Sequence, residues 1–356
     1  MERRALLAQR LATQRLTAAP ADPVAVVGEA LAVQSQDAPM ARWSIGMRSG
    51  TPGPEVAAAV DRGRIVRTHV LRPTWHYVLP VDLRWLLALS AARIERSMGA
   101  RHRQLRITEP VVERAFEVIR AAITEQGPLT RRRLHPLLPT TGFPEQGQVV
   151  GHLLMLAELR ELVVSGPSAG DQHTYALMDD VVPPATPRPR EDLVRELTAR
   201  FFAGHGPASI RELTRWAAVT QAEIRRALDE LGLASVTFDG VELWWDPAAV
   251  HEETRPRRAH LLPTFDEATL TYLAPSWQRT DGHPMGDRPP TYARVGGGVV
   301  ICDLAEVGLW QRRATGATTR VTLALSPAVS APQRQAIIAE AQRLADFEGR
   351  PLELAD

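Results

Sequence analysis

The stretch EPVVERAFEVIRAAITEQ, residues 109–126, opens the segment that decides the fold. Its apolar residues recur at the spacing of one helix face, which predicts an amphipathic helix. GPLTRRRLHPLL (127–138) and GQVVGHLLMLAELREL (147–162) predict two more helices, and LVVSG (162–166) and HTYALM (173–178) predict two strands. Three helices followed by a two-stranded hairpin are the plan of the winged helix, a variant of the helix-turn-helix.

A second copy of this order runs from Pro189 to Asp246. Both copies place Gly-Pro before the second helix, as GPLT (127–130) and GPAS (206–209). In the second copy Ser209 is a predicted N-cap, and Thr220 with Glu223 predicts a capping box. Asp239-Gly240 predicts the tight turn of a hairpin. The repeat of the same order indicates tandem modules.

The N-terminal stretch fits the same order more loosely. Short helices are predicted over Asp22–Gln36, Ala41–Arg48 and residues 53–63, followed by a hairpin in RIVRTHVLRPTWHYVLP (64–80). After about Pro256 the pattern becomes β-rich, with a closing helix capped by Ser330. The predicted class is α+β: three tandem winged-helix modules plus a β-rich C-terminal region. The predicted boundaries are 1–105, 106–182, 189–250 and 256–356.

Composition excludes several classes of function. All 42 basic residues are arginine, and the net charge of the 356-residue chain is only +1. Without lysine there is neither a P-loop nor a side-chain Schiff base. The single Cys302 cannot form an internal disulfide, and neither a transmembrane run nor a signal-peptide pattern is present, so we expect a cytoplasmic protein that does not bind membranes. No metal motif and no G-x-S-x-G motif occurs, and no cofactor is predicted.

Two glutamines flank a serine in VQSQD, residues 33–37, at the end of the first predicted helix. On a helix, positions i and i+2 lie roughly 200° apart, so Gln34 and Gln36 would point away from each other. In an extended segment they would share a face. If the two amides act together, the chain has to leave helical geometry between Gln34 and Asp37. The side chain of Asp37 is expected to point elsewhere.

Three other segments carry candidate residues. In HVLRPTWHYV (69–78), strand alternation would place Arg72, Thr74 and His76 on one face and Trp75 on the other, where Trp75 is either core or a DNA contact. Arg131, Arg132 and Arg133 begin a predicted helix, either as a solvated face or as phosphate contacts. The carboxylate pair in FDE, residues 265–267, reads as an ordinary helix N-terminus.

Four segments together resemble the AlkZ/YcaQ family of bacterial winged-helix DNA glycosylases. They are VQSQD, RPTWHYVLPVDLRWLLAL (72–89), LLPTFDEATLTYL (261–273) and VGLWQRR (307–313), which occur in the family's order over nearly the whole chain. The family's AlkZ-like branch carries a Gln-x-Gln motif, which Gln34 and Gln36 match. The resemblance implies that these two residues position a water near C1′. It implies DNA contacts by Arg67, Arg72, Thr74, Trp75, His76, Arg131, Arg132, Arg133 and Arg294.

The resemblance also implies a substrate and a setting. Members of the AlkZ-like branch include self-resistance enzymes that excise bulky N7-alkylguanines. We therefore expect the protein to act on double-stranded DNA that carries alkylated guanine, as a monomer associated with the nucleoid. Whether it also acts on interstrand crosslinks is left open. The missing lysine predicts a monofunctional enzyme, which hydrolyses the glycosidic bond and leaves an abasic site. The alternative is a non-catalytic winged-helix regulator that binds an operator and releases no base.

Overall fold

The structure is a computed structural model that describes residues 2–18, 21–140, 142–143, 145–217, 219–250, 258–273, 277–285 and 296–355. Among these residues, no helix combines the length and apolar character needed to cross a membrane. The predicted α+β class is confirmed. The division into winged-helix modules and the domain boundaries stay predictions.

The first segment places a short strand between its second and third helices. After α1 (Arg3–Thr13), its elements are α2 (Pro23–Ala30), β1 (Val33–Gln34), α3 (Ala38–Ser49), α4 (Gly53–Asp61), β2 (Val66–His69) and β3 (Trp75–Val78). The three strands form an antiparallel sheet in the order β1-β3-β2. The predicted long connection follows as α5 (Pro80–Gln104), which Asp82 favours by its negative charge in the first turn.

The second and third segments repeat this order. The second consists of α6 (Glu109–Gln126), β4 (Leu129–Thr130), α7 (Arg131–Leu134), a 3-10 turn (His135–Leu137), α8 (Gln146–Leu159), β5 (Val163–Ala169) and β6 (Gln172–Leu177), with the sheet order β4-β6-β5. After α9 (Met178–Val181), the third consists of α10 (Arg190–His205), α11 (Ile210–Trp216), α12 (Gln221–Leu231), β7 (Ala234–Phe238) and β8 (Val241–Trp245). A single bridge between Ala208 and Trp244 stands where the other segments have their first strand.

Local signals set the ends of several elements as predicted. Ser209 and Thr220 each accept a hydrogen bond from a backbone N–H three residues later, within complete capping boxes. Asp239 and Gly240 turn the hairpin between β7 and β8 with positive φ angles of 47° and 75°. These turns need only short-range hydrogen bonds and a residue that tolerates positive φ, so a short sequence window suffices to predict them.

The C-terminal region is one sheet with a helix packed on it. Its elements are β9 (Ala259–Pro263), α13 (Glu267–Leu270), β10 (Gln278–Arg279), β11 (Gly297–Cys302), β12 (Ala305–Thr315), β13 (Thr318–Leu325), α14 (Ala331–Phe347) and β14 (Leu352–Ala355). The strand order is β14-β13-β12-β11-β9, and β10 pairs with β12. Ser330 begins α14 through a capping box with Gln333, as predicted.

The first segment shares its hydrophobic core with the C-terminal sheet. One buried cluster joins residues of α1, α2, α3 and β3 to residues of β9, β11 and α14. Within it, the indole of Trp43 donates to the carbonyl of Leu261 over 3.1 Å and lies edge-on to Phe347. This packing brings the turn after β9, and with it Glu267, against the strand that carries Gln34.

Candidate active site

The segment that carries the two glutamines is extended. The helix predicted through Gln36 is wrong, because α2 ends at Ala30 and Leu31 then takes a positive φ of 61°. Val33 and Gln34 pair with Tyr77 and His76 on β3, and the N–H of Ser35 donates to the carbonyl of Trp75 over 2.7 Å. Sheet pairing therefore overrides the local helical pattern. The chain leaves helical geometry before Gln34, as joint action of Gln34 and Gln36 requires.

Gln34 is held at both its backbone and its side chain. It is 8% exposed. Its N–H donates to Glu267 Oε1 over 3.1 Å, and its side-chain Oε1 accepts from Arg72 Nη2 over 3.0 Å. Two side chains from distant parts of the chain thus fix this glutamine in one geometry.

Arg72 lies in the middle of the turn between β2 and β3, next to Gln34. Its Nη2 also contacts His76 Nε2 at 3.0 Å, and its Nη1 donates to the carbonyl of Trp216 over 3.0 Å. The preceding turn residues Val70 and Leu71 are buried, so the turn packs into the protein. The guanidinium is therefore engaged on several sides by groups of this chain.

His76 is neutral in this setting. It is fully buried, and burial together with the nearby Arg72 guanidinium lowers its pKa from 6.5 to about 3. Its Nδ1–H donates to the carbonyl of Thr74 over 2.9 Å, which leaves the Nε2 lone pair to accept from Arg72. Thr74 Oγ1 is buried, and no hydrogen-bond partner for it lies in the described part of the chain.

Gln36 differs from Gln34 in being exposed. Its Oε1 accepts from the backbone N–H of Trp75 over a long 3.4 Å. The neighbouring Asp37 is buried and accepts from the N–H groups of Met40 at 3.4 Å and Gly296 at 2.6 Å. Asp37 therefore caps α3 and points away from the glutamines, as expected.

Glu267 is a member of the site that the sequence did not reveal. Besides the N–H of Gln34, it accepts from Trp216 Nε1 at 2.9 Å and Thr271 Oγ1 at 3.0 Å, and its Oε2 lies 3.7 Å from His205 Nε2. Burial would raise its pKa, but His205, Arg72 and the Trp216 N–H outweigh burial and lower it well below its usual range. Glu267 is thus a buried, ionised carboxylate behind Gln34.

Asp266, the residue before Glu267, has a structural role. Asp266 begins α13 by accepting from the N–H of Ala268, as the helix N-terminus interpretation predicts. It also forms a buried, two-bond ion pair with Arg48, with both distances at 2.8 Å. The FDE segment therefore combines a helix cap with a carboxylate that reaches the motif.

Arg67 and Trp75 pack beside the motif. Arg67 Nη2 donates to the carbonyl of Ser35 over 2.9 Å, and its guanidinium lies 4.1 Å from the centre of the Trp75 ring. His69 and His173 contact the same ring at 4.2 and 4.9 Å between ring centres. Trp75 is only partly buried within this group. The group joins β2 to the second segment.

The remaining predicted DNA contacts lie outside this cluster. Arg131, Arg132 and Arg133 are exposed on α7. Arg131 donates to the carbonyl of Gly147, and Arg133 Nη2 donates to Gln126 Oε1 over 3.2 Å. Arg294 lies outside the described residues. The structure thus brings Gln34, Arg72, Thr74 and His76 together, places Gln36, Arg67 and Trp75 beside them, and gives the α7 arginines no contact with either glutamine.

A family model and a solved structure relate this chain to the same kind of protein. The family model described as DNA glycosylase AlkZ-like matches residues 27–347. Among solved structures, Streptomyces sahachiroi DNA glycosylase AlkZ matches with a TM-score of 0.68 at 19% sequence identity, and the match covers 100% of both chains. At this identity the likeness shows the fold alone. No curated protein sequence matches the chain.

Proposed function

Since the chain belongs to the AlkZ-like family of DNA glycosylases, we propose that it removes N7-alkylated guanine from double-stranded DNA by hydrolysis. It acts as a single chain and leaves an abasic site. Gln36 and Gln34 face the lesion nucleotide. The three repeated segments are winged-helix modules that bind the duplex, and the arginines of α7 contact phosphates.

The observation that carries this proposal is the lack of a proton donor around the two glutamines. Among the described residues there, His76 is neutral and uses its one N–H on Thr74. Glu267 is ionised, and both its oxygens accept hydrogen bonds. Asp37 accepts two backbone N–H groups. A site of this composition cannot protonate a departing base, so it suits a base that already carries positive charge.

N7-alkylguanine is such a base. When water attacks C1′, the new C1′–O bond forms as the bond between C1′ and N9 breaks, and the electron pair of the broken bond neutralises the cationic ring. The proton lost by the water passes to solvent. The transition state resembles an oxocarbenium ion, as in other glycosyl transfers. An amide that orders the attacking water meets the main demand of this reaction.

The absence of lysine favours hydrolysis over a lyase reaction. A side-chain Schiff base with C1′ requires a lysine amine, and the 356-residue sequence contains none. We therefore expect the abasic strand to stay intact after the base has left. Strand cleavage during the reaction, without heat or alkali, would contradict this part of the proposal.

A panel of duplex oligonucleotides tests the substrate class. Each duplex carries one N7-methylguanine, one bulkier N7 adduct, one uracil or one interstrand crosslink, and released bases are measured by chromatography. We expect release of N7-alkylguanines and none of uracil, which would have to leave as an anion because the site offers no proton donor. Release of uracil alone, or of no base from any duplex, would refute the proposal. Sequence-selective binding to an operator without base release would support the rival regulator.

Self-resistance is the biological role that we propose for removal of bulky adducts. Expression of the protein in a sensitive bacterium should raise survival under an N7-alkylating natural product, and the double variant Gln34→Ala with Gln36→Ala should not. Equal survival with the wild type and the double variant would refute this role.

A further inference from the structure

We propose that Arg72 is a positioning residue: it fixes the amide of Gln34 so that Gln34 acts as a hydrogen-bond donor to the lesion nucleotide, while Gln36 supplies the oxygen that holds the water. This inference rests on the proposed function and assigns different chemistry to the two glutamines. The acceptor on the substrate is a ring nitrogen or the exocyclic oxygen of the departing base. A double variant that lacks both glutamine side chains could not reveal this difference between them.

The orientation of the Gln34 amide follows from the chemistry of Arg72. The oxygen and nitrogen of a glutamine amide are usually assigned from their hydrogen-bond partners. A guanidinium only donates, so the atom 3.0 Å from Arg72 Nη2 has to be the oxygen Oε1. With the amide reversed, an NH2 group would face another donor. The Nε2 of Gln34 is therefore left as the group available to a substrate.

Arg72 cannot turn away without losing other bonds. The two hydrogens of Nη2 reach Gln34 Oε1 and His76 Nε2, and Nη1 donates to the carbonyl of Trp216. His76 can accept because its Nδ1–H is bound to the carbonyl of Thr74. The guanidinium is thus occupied within the protein, which favours positioning over contact with a phosphate.

The backbone of Gln34 is fixed independently by Glu267. Its N–H donates to Glu267 Oε1 over 3.1 Å. In the part of the chain that the structure describes, no acceptor lies within hydrogen-bond reach of Gln34 Nε2. A donor held rigid and left unpaired is the arrangement expected of a preorganised contact to a developing charge.

The side chain of Gln36 is less restrained by hydrogen bonds than that of Gln34. It is exposed, and its Oε1 contacts only the backbone N–H of Trp75, over 3.4 Å. Rotation of this amide breaks one long hydrogen bond. The oxygen of Gln36 can therefore turn toward a water. The oxygen of Gln34 is less suited to hold that water, because Arg72 already binds it.

Single-turnover release of N7-methylguanine from a duplex tests the difference between the two amides. Gln34→Glu keeps an oxygen toward Arg72 and replaces the NH2 donor with an acceptor. We expect it to lose as much rate as Gln34→Ala, about 100- to 1,000-fold. Gln36→Glu keeps an acceptor and should lose less. The exposed Gln335→Glu on α14 is the matched control and should equal the wild type.

The opposite ranking would overturn the inference. A Gln34→Glu enzyme as fast as the wild type would show that Gln34 works through its oxygen. A greater loss in Gln36→Glu than in Gln34→Glu would assign the donor role to Gln36 and not to Gln34. Melting temperatures of all variants separate loss of rate from loss of folding.

Variants of Arg72 test positioning against DNA contact. Arg72→Met should lower the single-turnover rate at saturating enzyme but leave unchanged both the Kd for undamaged duplex and its salt dependence. Arg72→Lys, which keeps one donor, should recover part of the rate. A weaker Kd with a salt slope reduced by about one would identify Arg72 as a phosphate contact and overturn the inference.

A measurement without turnover separates this inference from the proposed substrate. In 1H–15N NMR spectra, the side-chain amide signals of Gln34 are those lost in Gln34→Glu. Arg72→Met should shift these signals and leave those of Gln335 in place. Unshifted Gln34 signals would overturn the inference, even if base release is confirmed. Shifted signals would support it, even if N7-methylguanine is not released.

Discussion

The backbone N–H of Gln34 donates to the carboxylate of Glu267, a residue 233 positions later in the chain. Trp216 and Thr271 donate to the other oxygen of the same carboxylate. All three donors need an acceptor, and an ionised carboxylate is the side chain that offers one to each. The geometry of the motif therefore depends on a charge supplied from the C-terminal region.

Replacement of this carboxylate by an amide is predicted to impair both stability and base release. In Glu267→Gln the new NH2 group faces a donor whichever way it is turned, since both carboxylate oxygens accept hydrogen bonds. We expect a loss of about 1–3 kcal/mol in the free energy of unfolding, measured by urea denaturation, together with slower base release. Glu117→Gln, in an exposed pair with Arg114, is the control. Equal stability of both variants would contradict the prediction.

The buried pair between Arg48 and Asp266 is predicted to be costly to break from one side. Arg48→Met leaves Asp266 as an uncompensated buried charge, and such losses are about 3–5 kcal/mol. Arg48→Met combined with Asp266→Ala should lose less than Arg48→Met alone, because no charge is left unpaired. Urea denaturation of both variants measures the difference. A double variant no more stable than the single one would show that burial of charge is not the cause.

Stability is predicted to fall as the pH is lowered from 6.5 toward 5. Burial lowers the pKa of both His76 and His173 from 6.5 to about 3, with Arg72 acting further on His76 and Arg67 on His173. In this pH window both are neutral in the folded state and become charged in the unfolded state, which therefore binds more protons. The free energy of unfolding then rises with pH.

Unfolding in urea at several pH values measures this slope. His173→Phe removes one of the two groups and should reduce the slope between pH 5 and 6.5. A slope that is unchanged in His173→Phe would show that His173 does not titrate differently in the two states.

The α7 arginines are predicted to contribute affinity without lesion selectivity. Arg132→Gln should weaken binding to damaged and undamaged duplex alike and reduce the salt slope of log K by about one. Arg334→Gln, exposed on α14, is the matched control. Equal salt slopes for the wild type and Arg132→Gln would leave the α7 arginines as a solvated face.

The parts of the fold that depend on neighbouring residues could be predicted from the sequence. The capping box of Thr220 and the turn at Asp239-Gly240 each involve residues one to three positions apart. The end of α2 could not be predicted, because the pairing of Gln34 with His76, 42 residues further on, draws the chain out of the helix.

The site residues divide in the same way into those that the sequence indicates and those that it does not. Gln34 and Gln36 stand out by resemblance of a short motif. Arg72 does contact His76, but it does so from the turn before β3, where strand alternation does not apply. Glu267 could not be assigned, since nothing in FDE indicates a partner on β1. The sequence also gives no reason to expect Arg72 to face inward, which follows from the burial of Val70 and Leu71 in the same turn.

The hydrophobic cluster that joins α3 to β9 and α14 has a consequence for how this protein can change over generations. A region that shares its core with the motif cannot be trimmed, exchanged or fused elsewhere as an independent cassette. Limited proteolysis should accordingly release no stable N-terminal fragment. New lesion preferences would then arise by substitutions within the intact chain, and not by recombination of parts.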